Sequence, residues 1–279
     1  MPLEIVRHFG VRVARLIGTR HSNHNAPIYS ARFLEEADQA MMEDLVEMLR
    51  ALNLPADVLA LDKLRPMTGD RPEPFLGFPS VTSQNASFQL PLKKTFEATL
   101  AQINAKRRRK KYRTSERRLE PFGGYRRIEA SDDAGAKRLL AEFFAQKSLR
   151  LTEQGLPDVF AEPGVHAVFG QLASFTANGG KPVLTLHGIE IDDGGEPKLL
   201  AIAGLTRKGG HVTCQFGSVD DRTVPDASAG ELLFYRMIEE LNADGAEVFD
   251  FGVGDQRYKR SWCPVETPHA DVFLPLRSR

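Results

Sequence analysis

Asp250, Asp255, Tyr258 and Lys259 put two carboxylates, a phenol and an amine within ten residues near the C-terminus. They belong to DFGVGDQRYKRSW, Asp250 to Trp262, which begins in an apolar strand pattern. In an extended strand Asp250 and Phe251 point to opposite faces. Gly252 and Gly254 permit a tight turn, or close approach of the backbone to a ligand. A carboxylate such as Asp255 can take a proton directly or through water, and a phenol such as Tyr258 can give one. Lys259 can hold a phosphate or carboxylate as a point charge. The alternative is a plain turn with a surface lysine and a packed tyrosine. Trp262 reads as a packing anchor.

Residues 106–118 hold nine Lys or Arg and one Glu, a local charge of +8 in a chain of zero net charge. Two readings stand. One is a solvated helix with a packed seam through Tyr112 and Leu119. The other is an anion site for a nucleotide, RNA or polysaccharide phosphate; a single tyrosine gives base stacking thin support. His21 and His24 share a loop with Ser22, Asn23 and Asn25. Two histidines alone define no metal site, and a loop bonded to its own backbone is expected. Cys214 and Cys263 make neither a disulfide framework nor a ligand pair of useful spacing. Both are expected as reduced thiols in a cytoplasmic protein.

An internal repeat supplies the elements that position these residues. Val13 to Asp62 reads VARLIG, a polar segment, a helical pattern, then ADVLALD. Val212 to Gly252 reads VTCQFG, a polar segment, a helical pattern, then AEVFDFG. Gly18 aligns with Gly217, Pro27 with Pro225, and Ala56-Asp57-Val58 with Ala246-Glu247-Val248. Each copy is a β-α-β unit, which favours parallel strands. Met41, Leu45, Met48, Leu49 and Leu52 predict the core stripe of the first helix. Phe234, Met237, Ile238 and Leu241 predict that of the second. Ser228-Ala229-Gly230-Glu231 reads as a capping box. Gly245 and Asn53-Leu54-Pro55 read as helix stops.

The second copy follows helical stretches at Ala134–Arg150 and Pro163–Ala177. An antiparallel meander then runs through Pro182–Ile191 and Lys198–Thr206. The first copy has about a dozen residues before its strand, so the N-terminal half reads as incomplete, either truncated or reduced. Between the copies, Phe96, Leu100 and Ile103 begin one helix that continues into the basic run. Asp70–Leu90 reads as a crossing loop.

Helices, a meander and then β-α-β with a splayed parallel pair is the element order of a GNAT domain. DFGVGDQRYKRSW resembles the terminal signature of the CelD-like, BioF2-like acetyltransferase family. KRRRKKYRTSERRLEPFGGYRRIEA resembles the basic helix before that family's second domain. The family is similar in turn to the Fem-type peptidyltransferases, which carry tandem GNAT domains. The resemblance implies an α/β fold with a mixed sheet, tandem with an incomplete N-terminal copy. It implies a partial domain in 1–90, a basic linker helix in 91–120 and a complete GNAT domain in 121–279.

The same resemblance implies an N-acyltransferase that moves an acyl group from acyl-CoA, such as acetyl-CoA, to a small-molecule or sugar amine. Exopolysaccharide or cell-envelope metabolism is the implied process. The amine attacks directly, so the site must orient both partners, take a proton, stabilise an oxyanion and protonate the leaving thiolate. Asp250 and Asp255 are the implied bases, Tyr258 the acid and Lys259 an anion holder. Phe216 and Gly217 would present backbone to the acyl carbonyl and pantetheine arm. Ser228, Ala229 and Gly230 would take the diphosphate at a helix N-terminus. This loop departs from the Q/R-x-x-G-x-G/A pattern, and Asp226 adds a negative charge. Two rivals are a Fem-type transferase using charged tRNA, the one case that involves RNA, and a non-catalytic GNAT-like scaffold.

Composition is that of a globular chain, 42% apolar and 27% charged. Zero net charge gives no global field toward DNA or an anionic membrane. Apolar runs such as Leu199–Leu205 are too short to span a bilayer. The first residues hold no continuous apolar stretch of the kind a signal peptide needs. No metal is expected.

Overall fold

The computed structural model describes residues 1–175 and 180–277. In chain order the first elements are β1 (Leu3–His8), β2 (Val11–Leu16), α1 (Ala31–Glu36), α2 (Gln39–Ala51), β3 (Val58–Leu64), β4 (Met67–Thr68), β5 (Arg71–Pro72), β6 (Ser80–Thr82) and β7 (Ser87–Pro91). There follow α3 (Phe96–Ala101), α4 (Ala105–Leu119), β8 (Arg126–Glu129), α5 (Asp133–Glu153), α6 (Pro163–Leu172), β9 (Leu184–Asp193), β10 (Glu196–Lys208) and β11 (His211–Val219). The last are α7 (Ala229–Ala243), β12 (Val248–Val253), α8 (Arg257–Trp262), β13 (Val265–Thr267) and β14 (Ala270–Pro275). These group into two compact units. One holds residues 1–88, 252–260 and those from 265 on; the other holds 89–251 and 261–264.

In the first unit a five-stranded sheet runs β1-β2-β3-β14-β6. β2 and β3 are parallel, from Val13↔Val58 to Arg15↔Ala60, as the first repeat copy predicts. β14 runs antiparallel to β3 on its other side. Asp38 caps α2 by accepting from Met41 N at 2.8 Å, a contact worth about 1 kcal/mol. The helix stops at Asn53, which adopts φ +46°. Its buried face is Met42 and Val46, with Leu45 and Leu49 packed beside them. The expected stripe is therefore rotated, since Met48 and Leu52 face solvent. Leu59, Leu61, Leu64, Phe75, Val272 and Leu274 complete this core.

The second unit holds β7-β12-β11-β10-β9-β8 of the larger sheet. β9, β10 and β11 form the expected antiparallel meander. α5 and α6 cover one face, where Phe143, Val165 and Phe169 pack with Leu184, Leu186, Leu199, Ile202 and Phe216. Phe234 of α7 packs its ring on Phe249 and Phe251 of β12. Gly245, at φ +71°, follows the end of α7 as predicted.

Three expectations are corrected. The helix expected to run unbroken from Phe96 is two helices, because Asn104 starts a new one by accepting from Arg107 N at 3.0 Å. The segment expected as a crossing loop carries the short strands β5, β6 and most of β7. The helix expected over Pro163–Ala177 ends at Leu172; Thr176 and Ala177 lie outside the described residues.

Candidate active site

The parallel ladder between β11 and β12 is three pairs long: His211↔Val248, Val212↔Phe249 and Thr213↔Asp250. Both strands run on past it, so the sheet forks after Thr213 and Asp250. β11 then bulges at Gln215, since Cys214 pairs with Leu205 and Phe216 with Gly204. A bulge re-aims the backbone, and a fork is where a ligand's own amides and carbonyls can meet a strand. Phe216 is fixed here. Its ring lies 4.1 Å from that of Phe143, and a Cβ on Gly204 would stand 2.4 Å from it. Gly217 backs onto the Ile202 carbonyl, 3.3 Å from where a Cβ would lie.

Asp250 is fully buried at the fork. Gln89 Nε2 donates to its Oδ2 at 3.0 Å, and His211 Nε2 stands 3.2 Å from the same oxygen. A buried carboxylate must be paired to persist, and here the amide and the ring do so. Neither Gln89 nor His211 stands out in the sequence. His211 begins a strand, and its partner lies 39 residues on.

At the start of α7 the expected capping box does not form. Ser228 adopts left-handed φ 52° and ψ 44°, and its side chain makes no cap bond. Glu231 turns away from the helix start. It accepts from Arg108 Nη1 at 2.5 Å and Trp262 Nε1 at 3.1 Å, and Lys111 Nζ lies 3.3 Å away. The first-turn donors of α7 are thus not covered by the serine, leaving the helix start with its usual affinity for anions. Ala229 is buried, and Gly230 packs close to Val219. Asp226 is exposed, 3.8 Å from Arg118.

The turn after β12 belongs to the first unit from Gly252 to Arg260. Gly252 has φ +72°, and a Cβ there would collide with Asn23 Oδ1. The same oxygen accepts from Val253 N at 3.1 Å. Lys259 is buried and donates to the carbonyls of Gly252 at 3.3 Å and Val253 at 2.6 Å. Asp255 pairs with Arg260 at the surface, and that hydrogen bond holds its carboxyl below the usual range. Tyr258 is 39% exposed on α8. Asp250, Phe216, Gly217, Ser228, Ala229 and Gly230 thus share the second unit, while Asp255, Tyr258 and Lys259 sit in the first.

The loop with His21 and His24 is bonded to its own backbone and neighbours, as expected. Lys63 Nζ donates to Ser22 O at 2.7 Å, and Asn25 Nδ2 to Asp62 O at 3.0 Å. Among the described residues no cluster of three His, Cys, Asp or Glu could hold a metal ion, and no helix is long and apolar enough to cross a membrane.

α4 buries Arg108, Ser115 and Leu119 and stacks Tyr112 on Tyr235 at 4.3 Å. The packed seam through Tyr112 and Leu119 is as expected, but Arg108 in that seam is not. Its guanidinium lies 4.0 Å over the Trp262 ring and donates to Ser261 Oγ at 2.6 Å. Trp262, fully buried, is the anchor that the sequence suggests. Lys106, Arg107, Lys110, Arg113, Arg117 and Arg118 face solvent.

No curated protein matches this sequence. Among solved structures the chain is similar to FemX, with TM-score 0.64 and 13% identity over 98% of this chain and 83% of that one. It is also similar to L-PGS from Bacillus licheniformis, with TM-score 0.59 and 9% identity over 99% and 81%. At such identities the likeness is one of fold. The family model described as an acetyltransferase (GNAT) domain matches residues 106–260. That span is more than half of the sequence and takes in the fork, the start of α7 and the turn after β12; the chain belongs to the GNAT acetyltransferase domain family.

Proposed function

We propose that the chain transfers an acyl group from acyl-CoA to an amine by direct attack. The observation that carries this reading is the forked β11–β12 pair beside a helix start that its own serine leaves uncapped. The fork suits a pantetheine arm along Phe216 and Gly217. The α7 start, Ser228 to Gly230, suits a diphosphate. Ser228 makes no cap bond, so the first-turn N–H groups of α7 are not taken by the capping box that the sequence suggests. The same opening favours a ligand-binding role over a non-catalytic GNAT-like scaffold.

Asp250 is the carboxylate we assign to the reacting end of the fork. For the leaving thiolate we propose the phenol of Tyr258, on its chemistry alone. The contacts of Asp255 and Lys259 support holding the turn over their sequence-derived roles. A carboxyl that pairs with Arg260 is a weak base, and an amine on two carbonyls is engaged. A CelD-like, BioF2-like placement with a sugar amine acceptor in envelope or exopolysaccharide metabolism is the finer proposal. So is the division into a partial copy in 1–90, a basic helix in 91–120 and a complete copy in 121–279. The solvent-facing cations of α4 favour one second reading, a Fem-type transfer from charged tRNA.

Calorimetry with acetyl-CoA and longer acyl-CoAs, followed by thiol release with a panel of amines, tests the donor. Saturable heat and amine-dependent thiol release are expected. No heat with any thioester at high concentration would overturn the reading. Tyr258→Phe is expected to keep the fold and lower turnover by roughly 100-fold or more. A tRNA donor would instead show binding that falls steeply with salt.

A further inference from the structure

We propose that His211 is the base that takes the proton of the attacking amine, held in one tautomer by the buried carboxylate of Asp250. This rests on the acyl-transfer reading and names a residue which that reading leaves unassigned.

Asp250 has no solvent exposure, and both named donors converge on its Oδ2, His211 Nε2 at 3.2 Å and Gln89 Nε2 at 3.0 Å. An ionised carboxylate only accepts. The ring nitrogen that faces it therefore carries the hydrogen, and in the neutral ring the lone pair is then on Nδ1. The His211 side chain is 29% exposed where Asp250 is wholly buried, so the ring leads from the enclosed carboxylate toward the surface. An oriented imidazole backed by a buried carboxylate is the arrangement that makes histidine an effective base.

Position supports the same assignment. His211 and Thr213 lie on one face of β11 by strand alternation, and Asp250 stands opposite Thr213 as the last pair before the fork. Thr213 and Asp250 thus mark the point where the strands part, two residues ahead of the bulge at Gln215, and His211 lies two residues before them on the same face. Thr213 is itself buried, and Gln215 Nε2 donates to Thr206 Oγ1 at 2.7 Å. Elsewhere the sheet buries Leu184, Leu186 and Ile202, and its buried His187 and Glu190 on β9 are paired with arginines, whereas Asp250 is met by an imidazole and an amide. A polar group of this size at the fork is costly unless paired, and buried pairs set beside a cleft are enriched at acid–base sites.

In the step, the amine nitrogen attacks the thioester carbonyl carbon. The C–N bond forms and the C–S bond breaks. The N–H proton goes to His211 Nδ1 and is later lost to water. Sulfur leaves with the bonding pair and is protonated by the acid. His211 is the catalytic residue here; Asp250 and Gln89 are positioning residues.

Two measurements test this. His211→Gln is expected to lower kcat by roughly 100- to 10,000-fold, with calorimetric affinity for acetyl-CoA and thermal unfolding unchanged. Full kcat in that variant overturns the proposal while leaving the transferase reading intact. Ring nitrogen shifts of the histidine-labelled chain give a readout independent of turnover, with His211 assigned by its loss in His211→Gln. The neutral ring is expected as the Nε2–H form, becoming a mixture in Asp250→Asn. A tautomer unmoved by Asp250→Asn also overturns the proposal. A wild-type chain that binds no thioester removes the transferase reading, and this one with it.

Discussion

Glu231 stands where a helix cap was expected and serves a different purpose. Its carboxylate, with Arg108 and Trp262, fastens the basic helix α4 to α7. Arg108 is 2% exposed, and burial pulls its pKa down against the opposing pull of Glu231. Removing one member of a buried pair leaves the other charged and unmatched, at a cost of about 3–5 kcal/mol. Arg108→Met is expected to lower unfolding stability by about 3 kcal/mol in urea titrations. Arg117→Met, on the solvent face of the same helix, is expected to change it by less than about 0.5 kcal/mol. Equal losses in the two would show that Arg108 is not the fastening residue.

At the next scale, each β-α-β copy closes its parallel pair over three residues. In the first copy the closure carries its own clamp. Asp57 accepts from Arg12 N at 2.9 Å, Arg12 Nε at 3.1 Å and Arg12 Nη2 at 2.5 Å. The side-chain bond from Arg12, before any other cause, holds the Asp57 carboxyl down at about 2. An unfolded aspartate titrates near 3.9. The clamp therefore contributes fully above that value and is lost as pH falls through 2. Both side chains are partly exposed, so the effect is modest. The wild-type Tm is expected to fall more between pH 5 and pH 2.5 than that of Asp57→Asn; parallel curves would remove the clamp. Much of this element scale is legible in the sequence, because Gly, Pro and apolar spacing fix each strand, loop and helix locally. The face of α2 is not legible. Apolar residues fill two adjoining rows, and only packing against Leu59, Leu61 and Val272 selects Met42 and Val46. The partners of Glu231 and Asp250 are equally hidden, since Arg108 lies 123 residues from Glu231 and Gln89 161 from Asp250.

On the scale of the whole molecule, the sheet of the first unit is completed from far along the chain. β14 lies between β3 and β6. Beside this pairing, Lys63 N donates to Asp271 Oδ1 at 2.8 Å. A chain ending at Pro268 leaves β3 and β6 without the strand between them. Hydrogen exchange is expected to show Leu59 to Leu64 losing most of their protection in that chain. Adding a peptide of residues 269–277 in trans is expected to restore part of it. Retained protection without the peptide would mean that β3 is stable alone. The return of β14 also sets an order of events in the cell. Lys63 and Asp271 lie 208 residues apart, so at ribosomal speed β3 waits about 10–40 s for its neighbour. During translation that edge is open to wrong pairing, and the first unit emerges first yet finishes its sheet only after all of the second has been made.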